Sequence, residues 1–257
     1  MLPPLIHLLV QVGEWTLRVL AVPGAKTSWK YGMRQWWRRQ FKKVFGTDIR
    51  EHLLGYGTLE INPVIPALLG PANQLSRFPF WKPGRNDMSF SAQRVASACE
   101  LRAVTYVSSA LSVEGGRASR VIGDDSIATK LDIDFISFGV MNNLLTRNAL
   151  ANSANRFVDY DLKSGFFVSK KDGQPLCEVR AGHDYGVILK LHPDQFPKRT
   201  WIVCGGVGEW GTSGSAWFLA NRWKSLAEKL KDDDQFVCII ELQPGQDESA
   251  VLRNFLS

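Results

Sequence analysis

The chain predicts an α/β fold: a mostly parallel sheet flanked by helices, with an antiparallel hairpin insertion and a basic, aromatic helical region ahead of it. Three observations carry this. Short apolar runs at 133–138, 185–191, 201–204 and 236–242 have the length and composition of buried strands. Apolar residues recur at helical spacing over 89–113, 144–150 and the stretch that ends at Leu230. Strands and helices alternate, which is the pattern of parallel strands joined by helical crossovers.

Residues 2–22 are apolar apart from a stripe of His7, Gln11, Glu14 and Arg18. On a helix these fall on one narrow side, with Glu14 and Arg18 as an i,i+4 pair. Such a helix packs in a protein assembly, lies in a membrane interface, or spans a bilayer with its stripe against other helices. The net charge of +6 is concentrated just beyond it, in Lys26, Lys30, Arg34, Arg38, Arg39, Lys42, Lys43 and Arg50 against Asp48 alone. Trp29, Tyr31, Trp36, Trp37 and Phe41 are interleaved with them. A block of this kind over 26–50 suits an anionic membrane surface or nucleic acid. Its candidate anion-binding residues are Arg38, Arg39, Lys42 and Lys43. Prolines at 63, 66, 71, 79 and 83 make 62–88 an irregular connector. This divides the chain into an N-terminal helical region at 1–61 and an α/β domain at 89–257.

In that domain the helix at 89–113 ends at Gly115-Gly116. A short strand at 119–122 runs into Asp124-Asp125-Ser126. The strand at 133–138 ends at Gly139, and Asn142 and Asn143 precede the helix at 144–150. Segments 157–162, 166–169 and 176–180 read as an antiparallel insertion around the turn at 170–173. The strand at 185–191 follows. The strand at 201–204 then opens into Gly205, Gly206, Gly208 and Gly211, with Thr212 and Ser213 leading into the next helix. A strand at 236–242 and a helix at 248–256 complete the reading.

A strand, a glycine loop and a helix let backbone amides and a helix N-terminus face an anion or a sugar edge. Gly206-x-Gly208-x-x-Gly211 has the dinucleotide spacing, but the position where an acid should end the next strand falls in a helix, near Glu228. No Gly-Lys-Ser/Thr follows the loop, which excludes a P-loop. The plain alternative is that these glycines serve a tight turn and close helix–strand packing. Ligands of α/β sheets sit beyond the carboxyl ends of strands, so three strand ends are expected to form one crevice. Its ligand-binding set is Gly139, Asn142, Asn143, Gly205, Gly206, Gly208, Gly211, Thr212 and Ser213. Gly206→Val is expected to abolish binding while largely preserving the fold. Asp124, Asp125 and Glu209 are the candidate catalytic carboxylates for cleaving a nucleotide or NAD, with Asn142 orienting the ribose. Cys99, Cys177, Cys204 and Cys238, and the four histidines, lack metal-ligand spacing. No metal is expected, and the thiols read as reduced core groups of a cytoplasmic protein.

Taken together, the strand ending in Gly139-x-x-Asn142-Asn143-x-x-Thr146, the Tyr-Gly-Val-Ile strand at 185–188 and the segment opening Gly205-Gly206-x-Gly208-x-x-Gly211-Thr212 resemble Rossmann-like domains of bacterial and archaeal proteins, some acting in signalling or anti-phage defence. The resemblance spans roughly residues 90–242. Members usually carry two glycines before the amide motif, where this chain has Phe138-Gly139. The resemblance implies the Rossmann-like fold and no particular chemistry. The expected function is a sensor or effector subunit that binds a nucleotide-like ligand. It docks a protein partner, a second copy or the inner face of the membrane through its N-terminal helix. Two alternatives stay open: a nucleotide- or NAD-cleaving glycosidase-type enzyme, and a structural subunit whose crevice has decayed.

Overall fold

The computed structural model describes residues 23–46, 52–57, 59–60, 94–115, 119–127, 129–232 and 234–257. The helix expected at 2–22 and the connector at 62–88 lie outside them. Helix α1 is Pro23–Phe45, with proline at a position where its missing N–H costs nothing. Its residues Phe41, Val44 and Phe45 are buried, and Trp37 packs beside them. Trp37 and Phe41 meet Trp223 edge-on, at 5.8 and 4.9 Å between centroids. The opposite face carries Arg38, Arg39 and Lys42, all exposed.

The strands are β1 (Leu53–Tyr56), β2 (Leu59–Glu60), β3 (Arg94–Val95), β4 (Arg120–Gly123), β5 (Phe135–Phe138), β6 (Val158–Asp161), β7 (Phe166–Ser169), β8 (Asp184–Leu191), β9 (Trp201–Gly206), β10 (Phe236–Gln243) and β11 (Gln246–Leu256). The remaining helices are α2 (Ala98–Ala110), α3 (Leu144–Ala151) and α4 (Glu209–Ala227). Seven strands form the central sheet in the order β11-β10-β8-β9-β5-β1-β4. Strands β9, β5, β1 and β4 are mutually parallel, while β8 opposes both β9 and β10, and β11 opposes β10. Strand β10 therefore runs with the parallel four, and only β8 and β11 run against them. The described chain is a mixed α/β protein with a mostly parallel central sheet and four helices.

Both sheet faces are covered. Leu54, Ile136, Phe138, Ile188 and Ile202 pack under α1, α2 and α4. Phe135, Tyr185, Val187 and Val203 pack under α3 and the β6–β7 hairpin. Strands buried on two faces read as continuous apolar runs, and β5 and β8 are buried along their whole length. Taken in chain order, the parallel strands lie 2-1-3-4: the chain leaves β1 for β4 with α2 on one face, then reverses to β5 and β9 with α3 on the other. The reversal falls between β1 and β5.

Several expectations are corrected. Residues 248–256 are not helical but belong to β11, which pairs with β10 through two register shifts, between Ile239 and Ile240 and between Glu241 and Gln243. Segment 176–180 is no strand; the insertion is the β6–β7 pair with one bridge from Val168 to Pro175. Residues 53–56, placed by sequence in a helical N-terminal region, form a strand inside the sheet. Helix α2 starts at Ala98, later than 89, and passes into a π-turn at Leu111–Gly115. Among the described residues, no helix is long and apolar enough to cross a membrane.

Candidate functional site

The reversal between β1 and β5 is where an α/β sheet opens a crevice at its carboxyl edge. Gly57 directly follows β1 and Gly139 directly follows β5. Over both lies Glu100, in the first turn of α2, with only 8% of its surface exposed. The Gly57 amide donates to Glu100 Oε2 at 2.8 Å. A Cβ at Gly139 would stand 2.4 Å from Glu100 Oε1, and one at Gly57 would stand 3.3 Å from both carboxylate oxygens. The carboxyl thus fills space that two missing side chains leave, and Gly139 adopts φ +90°, which disfavours any other residue. Burial pushes the Glu100 carboxyl up to about 7; the Gly57 amide pulls it down and the Asp124 charge pushes it further up.

Of the expected residues at this edge, two hold the scaffold together. Asn143 is fully buried and caps α3: its Oδ1 accepts from the Leu145 and Thr146 amides, and its Nδ2 donates to the carbonyls of Gly55 and Phe138. It thereby joins β1, β5 and α3. Asp124 is 2% exposed, and its Oδ2 accepts from the Leu144 amide at 2.7 Å. Asp125 is half-buried and accepts from Ser126 Oγ at 3.4 Å. Asn142 is exposed, with its backbone against Gly57.

The glycine loop leaves β9, the neighbour of β5, at the same edge. Its amides have an internal partner that the sequence reading missed. Asp184, at the start of β8, accepts from Gly208 N and Tyr185 N through Oδ1 and from Gly211 N through Oδ2, at 2.7–2.9 Å. A carboxylate of the chain itself therefore stands where the helix N-terminus would hold an anion. The glycines are close-packing positions: a Cβ at Gly206 would lie 2.3 Å from Thr212 N, and one at Gly211 2.0 Å from Tyr185 O. Gly206→Val therefore breaks the seat of α4 on the sheet, contrary to the sequence expectation. Gly205 backs onto Val140. Thr212 and Ser213 are buried in the first turn of α4, and Ser213 Oγ donates to Asp247 Oδ1 at 2.6 Å. Tyr106 and Arg102 of α2 converge on the same Asp247, so this cluster clasps α2, α4 and β11 together. Glu209 is exposed on that turn.

On α1, Arg38, Arg39 and Lys42 face solvent, whereas Lys43 Nζ donates to the Leu230 carbonyl beyond α4. Among the described residues no group of three or more His, Cys, Asp or Glu side chains could hold a metal. Glu100 was missed because a helix expected from 89 places it in mid-helix, whereas α2 starts at Ala98 and brings it to the first turn. Asp184 was missed because His183-Asp184 reads as a turn. The signal for Asp184 was its position just before a strand that hairpins into the glycine loop.

The fold and this edge define a class: a mixed α/β protein with a buried glutamate at the carboxyl edge of its sheet. No family model, curated protein or solved structure matches the chain.

Proposed function

We propose that the chain is a Rossmann-like binding module that takes a small, hydroxyl-rich, nucleotide-like ligand between the carboxyl ends of β1 and β5. One observation carries the reading: a buried carboxyl, Glu100, stands at the reversal of strand order, against two glycines at the carboxyl ends of β1 and β5. Ionised, it accepts hydrogen bonds from vicinal hydroxyls, as acidic residues do with ribose at such sheets. The glycine-loop amides are left out of this reading, since Asp184 engages those of Gly208 and Gly211. The exposed basic face of α1 supports docking to an anionic membrane surface at the cytoplasmic side. The resemblance to signalling and defence proteins supports a sensor or effector role within a larger assembly.

Calorimetric titration of the full chain with adenosine, AMP and NAD tests this, together with native mass spectrometry for a retained small molecule. Loss of a hydrogen-bonded carboxylate should weaken binding about tenfold or more in Glu100→Gln. If the wild type binds and retains nothing of this class, or Glu100→Gln binds as well as wild type, the reading fails.

A second reading has its own support. A buried carboxyl with a pKa raised to about 7 is suited to act as a general acid. On this reading Glu100, rather than Asp124, Asp125 or Glu209, protonates the leaving base of a nucleotide or NAD while water attacks the sugar carbon. Release of free base by the wild type and its loss in Glu100→Gln would separate cleavage from binding.

A further inference from the structure

A second concavity lies on the other side of the Gly139–Asn143 loop, between α3 and the β6–β7 hairpin. Its volume is about 690 Å³, within the range of small-molecule pockets. Its apolar lining comes from Val140 and Met141 after β5, from Leu150 and Ala151 on α3, and from Leu162 at the hairpin tip. Met141 and Leu162 are 51% and 73% exposed, so the rim is apolar and open. Two cations reach it against one carboxylate. Arg147 shares a helical face with Leu150 and Ala151 and is exposed. Lys170 is pinned at the end of α3, its Nζ donating to the Leu150 carbonyl at 2.6 Å. The carboxylate, Asp159, turns one oxygen to the Tyr160 amide at 2.8 Å. Tyr160 itself is half-buried against Phe167, and offers a ring wall with a polar tip.

We infer that this cavity binds a small amphipathic anion, with its apolar body between Leu150, Met141 and Leu162 and its charged end at Arg147 and Lys170. The apolar lining supplies the body's site and the net positive rim selects the anion over a neutral molecule of the same shape. A macromolecular partner needs a wider footprint than this concavity offers. The inference does not rest on the Glu100 crevice.

The probe is 1-anilinonaphthalene-8-sulfonate, an aromatic body with one anionic group, titrated into the full chain by fluorescence. Its neutral counterpart is N-phenyl-1-naphthylamine. One saturable site for the sulfonate is expected. Reversing one charge a few ångströms from the sulfonate, in Arg147→Glu, should weaken it about tenfold while the neutral probe changes less than about twofold. Ala151→Trp should fill the cavity and remove both probes. Leu162→Glu, at an exposed tip where folding is not at risk, should weaken the sulfonate as well. Glu100→Gln should leave all of this unchanged, so the inference and the proposed function fail separately. Absence of saturable binding overturns the inference. So does equal binding of both probes to wild type and Ala151→Trp, or an Arg147→Glu effect shared by the neutral probe.

Discussion

Replacing Glu100 by glutamine should stabilise the protein at alkaline pH and leave it nearly unchanged in mild acid. The amide keeps an acceptor for the Gly57 amide, whose bond to Glu100 is 2.8 Å, but carries no charge to bury. The carboxyl has an ordinary value of 4.5 and stands at about 7 in the fold. The folded state therefore holds its proton more tightly than the unfolded chain. Between these two values the native protein binds more protons, so stability falls as pH rises through the window and reaches its floor above about 7. Each pKa unit corresponds to 1.36 kcal/mol, which gives a penalty of about 0.8 kcal/mol at pH near 5 and about 3 kcal/mol at pH near 8.5. The increment between the two conditions is therefore about 2 kcal/mol. Urea unfolding of wild type and Glu100→Gln at both pH values measures it, with equal slopes as the check that the denatured states match. An advantage for Glu100→Gln that does not grow with pH, or that shrinks, would refute the placement of Glu100 as a buried carboxyl.

Other consequences follow from the same geometry. Asp184→Ala leaves the amides of Gly208 and Gly211 without their acceptor and should cost about 3 kcal/mol or more in thermal or chemical unfolding; a loss under about 1 kcal/mol would show that these bonds are dispensable. Gly211→Ala puts a methyl 2.0 Å from the Tyr185 carbonyl, so the variant should be insoluble or destabilised by about 3 kcal/mol or more, and a well-folded variant would contradict the close packing of α4. Changing Arg38, Arg39 and Lys42 to alanine should leave the melting temperature unchanged but weaken binding to anionic vesicles and flatten its salt dependence. Unaltered vesicle binding would remove α1 as the docking face. Lys43→Ala, by contrast, should lower stability, because its ammonium meets the Leu230 carbonyl.

Sequence periodicity revealed those parts of the fold that are buried on two faces. Strands β5, β8, β9 and β10 are nearly continuous runs of buried residues, and such runs stand out in any sequence. Strand β1 is four residues long, too short to show a period, and it lies between the basic block at 26–50 and the proline-rich stretch at 62–88. Strand β11 was mistaken for a helix because its register shifts break the alternation: Asp247 and Ala250, three apart, are both buried, which is a helical spacing produced by a bulged strand. The candidate site was legible as an edge of the sheet but not in its contents. That Asn142 and Asn143 divide into an exposed residue and a buried cap depends on the turn between β5 and α3. That Glu100 meets Gly57 and Gly139 depends on where β1 enters the sheet, and pairing of distant strands is written in no local pattern.

The same two register shifts bear on how the molecule behaves among its own copies. Strand β11 is eleven residues long and forms one rim of the sheet, and a straight rim of that length is a template for adding another chain. At each shift the row of outward amides and carbonyls loses its even spacing and the strand bends, so an incoming strand finds only short stretches in step. Glu248 and Arg253 lie exposed along the same strand, and each adds a charge that an incoming strand must accommodate. Removing the unmatched residues of β11 at both shifts would restore an even ladder with β10 and, with it, a surface on which the protein could polymerise.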